Sequence, residues 1–108
     1  MLLSEKSCQP VRPGEGLSLN DEADLIQQVQ SWVLNRSGVH SISKQFAFPG
    51  FMESVEFVRK VADLAESENH HPDIHIYFNR VELVLSTHTV NGLSENDFIL
   101  AAKIDVID

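Results

Sequence analysis

The chain has 108 residues, of which 43% are hydrophobic and 22% are charged, and these values predict one globular domain with a core of its own. The formal net charge of −8 argues against a nucleic-acid partner, because a broad phosphate-binding surface requires clustered Lys and Arg. Cys8 is the only cysteine, so neither an internal disulfide nor a cysteine-based zinc site is expected.

The sequence also predicts no membrane partner. No stretch approaches the ~20 apolar residues that span a bilayer. The first ten residues have neither a basic segment nor a long apolar run, so they do not resemble a secretory signal. We therefore expect a cytoplasmic protein. Residues 1–16 contain two of the four prolines and two of the five glycines without a hydrophobic period, which predicts an irregular tail before a single domain over residues 17–108.

The first predicted helix lies within residues 20–34, and its end is predicted near Trp32. Asn20 is a candidate N-cap, and the two acidic residues after it suit the positive end of a helix. The apolar residues of this segment recur at helical spacing on one face. They are Leu25, Ile26, Val29, Trp32 and Val33.

Residues 41–48 are predicted to form a strand, because Ile42, Phe46 and Phe48 share one face under a period of two, with Lys44 as the exception. A partner strand is predicted within residues 33–39, with Gly38 in the turn between them.

The second half of the chain predicts a long helix, a hairpin and a last helix. An apolar stripe at Phe51, Val55, Val58, Ala62 and Ala65 marks the helix, which Pro72 stops near His70. Residues 73–88 alternate as two strands, with a turn at Asn79–Arg80. Ser94 and Asp97 have the spacing of a capping box at the start of the last helix. Helices against an antiparallel sheet make an α+β fold.

Four of the five histidines lie within residues 68–88, and their arrangement permits three interpretations. Metal binding is disfavoured because adjacent His70 and His71 point in different directions, whereas helical metal pairs usually lie four residues apart. A purely structural interpretation places His70 at a helix C-terminus, where its charged form is favoured, and leaves His75 on an exposed strand face.

The third interpretation is acid–base chemistry without a metal, with the helix end, the loop and the strand end meeting at one cleft. In this interpretation Glu66 would orient His70 from one turn away. His88 ends the last strand beside Thr87, and Asp97 could reach back toward His88. Spacing alone leaves the catalytic and structural interpretations open.

Taken together, the segments Glu66–Asp73, Ser86–His88 and Gly92–Asp97 resemble the pterin-4a-carbinolamine dehydratases, and the resemblance extends over about residues 20–105. It implies an α+β fold in which helices pack on one face of a four-stranded antiparallel sheet, in the order α-β-β-α-β-β-α. It also implies dehydration of 4a-hydroxytetrahydropterin to quinonoid dihydropterin, which recycles the cofactor of aromatic amino acid hydroxylases.

The resemblance carries over to individual residues. It implies functional histidines at His70, His71 and His88, supporting acids at Glu66 and Asp97, and a pocket tryptophan at Trp32. Thr87, beside His88, is predicted to support the site or bind substrate. Helical spacing alone would place Trp32 in the core. No metal or organic cofactor is implied.

The resemblance further implies a homodimer or homotetramer and a functional link to a hydroxylase. The alternative function is a non-catalytic dimeric interaction module on the same fold, such as a transcriptional or assembly cofactor.

Overall fold

The computed structural model describes residues 2–107 of the chain. It contains three α-helices and four β-strands. In chain order they are α1 (Leu19–Ile26), β1 (Val33–Asn35), β2 (Ser41–Ala47), α2 (Phe51–Glu68), β3 (Asp73–Tyr77), β4 (Arg80–Leu85) and α3 (Glu95–Asp105). This order, α-β-β-α-β-β-α, confirms the predicted α+β fold. No helix within residues 2–107 is long and apolar enough to cross a bilayer.

The four strands form one antiparallel sheet in the spatial order β1-β2-β4-β3. The inner strand β4 contributes three residues to the core, because Val81, Leu83 and Leu85 point to the same face under a period of two and are fully buried. Phe98 and Leu100 of α3 are equally buried in the same hydrophobic core. The last residues of β4 are therefore held firmly where the chain leaves the sheet.

Helix α1 begins one residue earlier than predicted and is shorter. Its N-cap is Ser18, whose hydroxyl accepts the backbone N–H of Asp21 at 3.1 Å, so the prediction of Asn20 as the cap was wrong. The helix ends at Ile26 and continues as a 3-10 turn. Val33 lies in strand β1 with 63% of its surface exposed, because the short strand turns that side chain away from the core.

Helix α2 ends at a left-handed residue, which sets the direction of the chain toward the histidines. Asn69 has φ 53° and its N–H bonds to the carbonyls of the last turn; asparagine tolerates this conformation better than most residues. The buried face of α2 is centred on Ser54, Val61 and Ala65, whereas Phe51 is 49% exposed. The predicted apolar stripe was therefore offset by about one residue from the face of α2 that is buried in the structure.

The β3–β4 hairpin is confirmed, but its turn lies one residue earlier than predicted. Tyr77 pairs with Arg80, so the two-residue turn is Phe78–Asn79, and Phe78 adopts a φ of 49°. The carbonyl of Asn79 accepts the N–H of Phe48 at 2.8 Å. This bond ties the hairpin tip to the end of β2.

The segment before α1 is irregular apart from a 3-10 turn at Leu3–Glu5, and it packs on the domain. Leu3 is 5% exposed and belongs to the hydrophobic core. The Lys103 ammonium donates to the carbonyl of Ser4 at 3.0 Å. The N-terminal tail therefore follows a fixed path along α3.

Candidate active site

Three chain segments bring the site residues together. Asn69 ends α2 and directs His70 and His71 out of the helix. Strand β4 ends at Leu85, and Thr87 then pairs with Gly92 through backbone bonds of 2.7 and 3.3 Å. This small loop, which contains a left-handed Asn91, returns the chain to the start of α3.

The three predicted histidines line one hollow of about 260 Å³. Its walls come from the end of α2, the end of β4 and the following 3-10 turn. The lining residues are Asn69, His70, His71, Ser86, Thr87, His88 and Thr89. The structure therefore brings together imidazoles that lie up to 18 residues apart in sequence.

Asp97 organises the buried side of the hollow. Its carboxylate is fully buried, and Oδ1 lies 2.6 Å from Nε2 of His70. Oδ2 accepts the Thr87 hydroxyl at 2.7 Å and the backbone N–H of Ser94 at 3.0 Å. The capping box at the start of α3 is present as predicted. The same carboxylate thus caps a helix and fixes a histidine.

Glu66 contacts a different histidine from the one predicted. Its Oε2 lies 2.5 Å from Nε2 of His71, and both side chains are more than half exposed. The prediction that Glu66 orients His70 was wrong, because the left-handed turn at Asn69 reverses the chain and brings His71 back over the last turn of α2. His70 points instead into the protein, with 12% of its side chain exposed.

These contacts assign the tautomers of two rings. An ionised carboxylate only accepts hydrogen bonds, so Nε2 of His70 and Nε2 of His71 must both be donors. In the neutral imidazole the second nitrogen, Nδ1, is then an acceptor. Nδ1 is therefore the nitrogen of each ring that remains for acid–base chemistry, as a base when the ring is neutral and as an acid when it is protonated.

His88 lies on the exposed side of the hollow, at the first position of the 3-10 turn His88–Val90. The prediction that Asp97 reaches this ring was wrong. The Asp97 oxygens instead contact His70, Thr87 and Ser94. The side chain of His88 is thus free of the carboxylate that holds His70, and it faces the hollow from the opposite chain segment.

Trp32 lies in the core and does not line the histidine hollow. It is 2% exposed, its Nε1 donates to Asp105 Oδ1 at 3.0 Å, and its ring meets Phe46 edge-on at 6.2 Å. Asp105 follows Asp97 by eight residues on α3, a distance of about 12 Å along the helix axis. Helical spacing, which places Trp32 in the core, describes its position correctly.

Within residues 2–107, no group of three or more His, Cys, Asp or Glu side chains has a geometry suited to a metal ion. His70 and His71 each turn one ring nitrogen toward a different carboxylate. The side-chain arrangement around the hollow therefore resembles two separate imidazole–carboxylate pairs, which is a common arrangement for orienting acid–base histidines.

Sequence reasoning missed several residues of the site. Asn69 could have been found, because asparagine directly after an apolar helical stripe is a common left-handed cap. Ser94 was identified only as a cap, yet its hydroxyl also lies 2.7 Å from that of buried Thr87. The tail residues 8–11 border a second hollow at His70, and no sequence pattern indicates this.

Comparison with known proteins identifies the family. The sequence profile of the family described as pterin 4 alpha carbinolamine dehydratase matches residues 15–107. The chain belongs to this family.

The family assignment agrees with individual relatives. A protein from Rickettsia bellii is 43% identical over 107 residues, covering 97% of this chain and 93% of its own. A protein from Halorhodospira halophila is 38% identical, and the match covers 99% of this chain and 98% of that protein. Both are named, provisionally, as pterin-4-alpha-carbinolamine dehydratases. Pterin-4-alpha-carbinolamine dehydratase 2, mitochondrial, from Arabidopsis thaliana is 39% identical, and the match covers 95% of this chain and 57% of that protein.

Two solved structures share the fold. One is described as a transcriptional coactivator/pterin dehydratase from Brucella melitensis; it has a TM-score of 0.77 and 28% identity, over 83% of this chain and 95% of that one. The other is described as a pterin dehydratase-like protein that is a RuBisCO assembly factor in the alpha-carboxysome. It has a TM-score of 0.60 and 28% identity, over 69% and 86% of the two chains.

Proposed function

We propose that this protein dehydrates a 4a-hydroxytetrahydropterin to the quinonoid dihydropterin by general acid–base catalysis at the histidine hollow. The observation that carries the proposal is the set of three imidazoles lining one hollow, two of them oriented by carboxylates. Membership of the dehydratase family supports the same substrate class.

The reaction needs two proton transfers and no electron transfer. The C4a–O bond breaks and the lone pair of the adjacent ring nitrogen forms a C=N double bond. One group gives a proton to the leaving oxygen, which departs as water, and another removes a proton from the ring. Histidine serves in both directions near neutral pH, and positioned groups of this kind typically contribute about 10²–10⁴-fold each.

The geometry favours different roles for the three rings. His71 is exposed and oriented by Glu66, which suits the acid that protonates the leaving hydroxyl. His88 reaches the hollow from the other segment and suits the opposing base. His70 is nearly buried and held by Asp97, which suits binding and polarising the pterin ring. Thr87 supports this arrangement through its bond to Asp97.

Stopped-flow decay of a freshly generated 4a-hydroxytetrahydropterin tests the proposal. Wild-type protein should accelerate the decay, and His71→Ala and His88→Ala should each slow it by about 10²-fold or more with an unchanged circular dichroism spectrum. His75→Ala is the matched control, because His75 lies on the exposed face of β3 and outside the hollow. A double variant His71→Ala/His88→Ala as active as wild type would refute the proposal.

The second candidate function is a non-catalytic interaction module. The two solved structures above are described in terms of coactivation and RuBisCO assembly, and Phe51, Met52 and Phe78 expose apolar surface here. A module without enzymatic activity would bind a partner protein and leave the carbinolamine decay rate unchanged.

Other predictions derived from the resemblance belong to this proposal. They are a homodimer or homotetramer, a cytoplasmic location, a link to an aromatic amino acid hydroxylase and catalysis without a cofactor. Light scattering coupled to size-exclusion chromatography measures the assembly state directly.

A further inference from the structure

The irregular tail contacts the candidate active site at a specific place. Its residues 7–11, here called the N-terminal strap, cross the two helix ends that carry the site. Cys8, Gln9, Pro10 and Val11 border a hollow of about 310 Å³ whose other walls include His70 and Thr87. Both of these residues also line the histidine hollow, so the two hollows adjoin.

A reciprocal pair of hydrogen bonds holds the strap to α3. The backbone N–H of Gln9 donates to Asn96 Oδ1 at 3.0 Å, and Asn96 Nδ2 donates to the carbonyl of Gln9 at 2.6 Å. Asn96 is only 8% exposed and directly precedes Asp97. A buried side chain that pairs with both backbone groups of one residue fixes the path of that segment.

A further bond ties the strap to α2. The N–H of Cys8 donates to Glu68 Oε1 at 2.9 Å, and Glu68 also lies 3.7 Å from the Lys103 ammonium of α3. Glu68 is the last residue of α2 and precedes His70 by two positions. The strap thus bonds both to the residue before Asp97 and to the helix end before His70.

We propose that the N-terminal strap completes the candidate active site: it forms the wall beside His70 and holds the end of α2 against the start of α3. The His70–Asp97 contact of 2.6 Å joins these same two helix ends, so its geometry depends on how they are held. Asn96 is then a positioning residue that acts on His70 through the strap. The matched profile of the family begins at residue 15, so the strap lies outside it.

The single cysteine provides a selective probe of the strap. Cys8 lies inside the strap, and its Sγ lies 3.7 Å from the carbonyl of Asn96. Asn96→Ala removes both bonds to Gln9 and should open the strap about 10- to 100-fold more often. The rate at which a thiol reagent labels Cys8 should rise by the same factor. Asn35→Ala is the matched control, because that amide accepts only a local turn N–H at 2.8 Å far from the strap in sequence.

Two further measurements show whether the strap positions His70 or only tethers the N-terminal tail to the domain. The ring ¹⁵N chemical shifts of His70 at fixed pH should change in Asn96→Ala and stay the same in Asn35→Ala. The KM for a pterin carbinolamine should rise at least threefold in Asn96→Ala; this measurement rests on the proposed function. If wild-type protein has no dehydratase activity, the proposed function fails, and the labelling and shift measurements still decide the role of the strap.

The outcomes are distinct. Faster labelling of Cys8 with altered His70 shifts supports the proposal. Faster labelling with unchanged His70 shifts overturns it, because the strap would then be a tether with no effect on the site. Unchanged labelling also overturns it. If Asn96→Ala does not fold, Asn96→Asp, which retains an acceptor for the Gln9 N–H, is measured in the same way and judged by the same outcomes.

Discussion

Replacing Asp97 by asparagine tests the account of the buried side of the site. The Asp97 carboxylate has no solvent exposure and receives bonds from His70, Thr87 and the N–H of Ser94. All three partners are donors toward Asp97. Asparagine has one acceptor oxygen and one NH₂ group, so in either orientation its NH₂ faces at least one donor.

The expected decrease in the free energy of unfolding follows from the hydrogen bonds that are lost. A hydrogen bond to a charged group contributes about 1.5–3 kcal/mol, and loss of a helix cap costs about 1 kcal/mol. We therefore expect Asp97→Asn to lower the free energy of unfolding by about 3 kcal/mol. For a domain of this size, that corresponds to a fall in Tm of roughly 12–24 °C.

Urea denaturation followed by far-ultraviolet circular dichroism measures this change. Asp63→Asn is the matched control, because Asp63 lies on the surface of α2, 71% exposed and 3.5 Å from Arg59, where ion pairs contribute little. Its unfolding midpoint should stay within error of wild type. If both variants unfolded at the same urea concentration, the reasoning that Asp97 organises the site would be wrong.

Four further predictions concern three residues outside the histidine hollow. Burial, and to a smaller extent the neighbouring Glu68 carboxylate, raises the pKa of the Cys8 thiol from 9.0 to about 12. A thiol reagent should therefore label Cys8 at pH 8 about 10²–10³-fold more slowly in folded than in urea-unfolded protein, because the thiolate is the reactive form. Because folding raises this pKa, the contribution of the neutral Cys8 thiol to the free energy of unfolding should be lost as pH rises from 9.0 to about 12. In denaturation curves measured over this pH range, Cys8→Ala should not show this decrease in stability. Trp32→Phe leaves Asp105 without the indole donor and should lower the free energy of unfolding by about 1–3 kcal/mol. A changed KM with an unchanged free energy of unfolding would contradict this and would indicate a role at the substrate site. Phe78→Gly should raise the urea midpoint by an amount equivalent to about 1 kcal/mol, because Phe78 has a φ of 49°; a lower midpoint would show that its side chain contributes more than its backbone strain.

Local sequence signals predicted the elements of this fold well. The capping box of Ser94 and Asp97 and the alternation in β4 act over a few residues. Where local signals compete, the prediction was shifted: Asn20 and Ser18 can both cap a helix, and the structure uses Ser18. The hairpin turn was placed one residue late because its first residue, Phe78, is an unusual residue for a positive φ.

The pairing of acids with histidines could not be read from spacing. A distance of four residues suggests contact between Glu66 and His70 only if the helix continues to His70. Asn69 ends the helix and turns the chain, and Glu66 therefore meets His71. The contact of His70 with Asp97 spans 27 residues. It depends on the packing of α2 and α3, which no local pattern encodes.

The position of the strap was unpredictable for a similar reason. Residues 7–11 have no hydrophobic period, and their bonds to Asn96 span more than 80 residues. Only the folded start of α3 creates the amide that receives them. Irregular segments carry little local information about what they contact.

The central claim is that three imidazoles from two separate chain segments surround one flat pterin. Titration of the protein with a stable dihydropterin, followed through the ring ¹⁵N signals of all five histidines, tests it most directly. Signals of His70, His71 and His88 should move together with one dissociation constant. Those of His40, which bonds to Glu22, and of His75, on the exposed strand face, should stay in place. Movement of His40 or His75 with the three hollow histidines unmoved would contradict the claim.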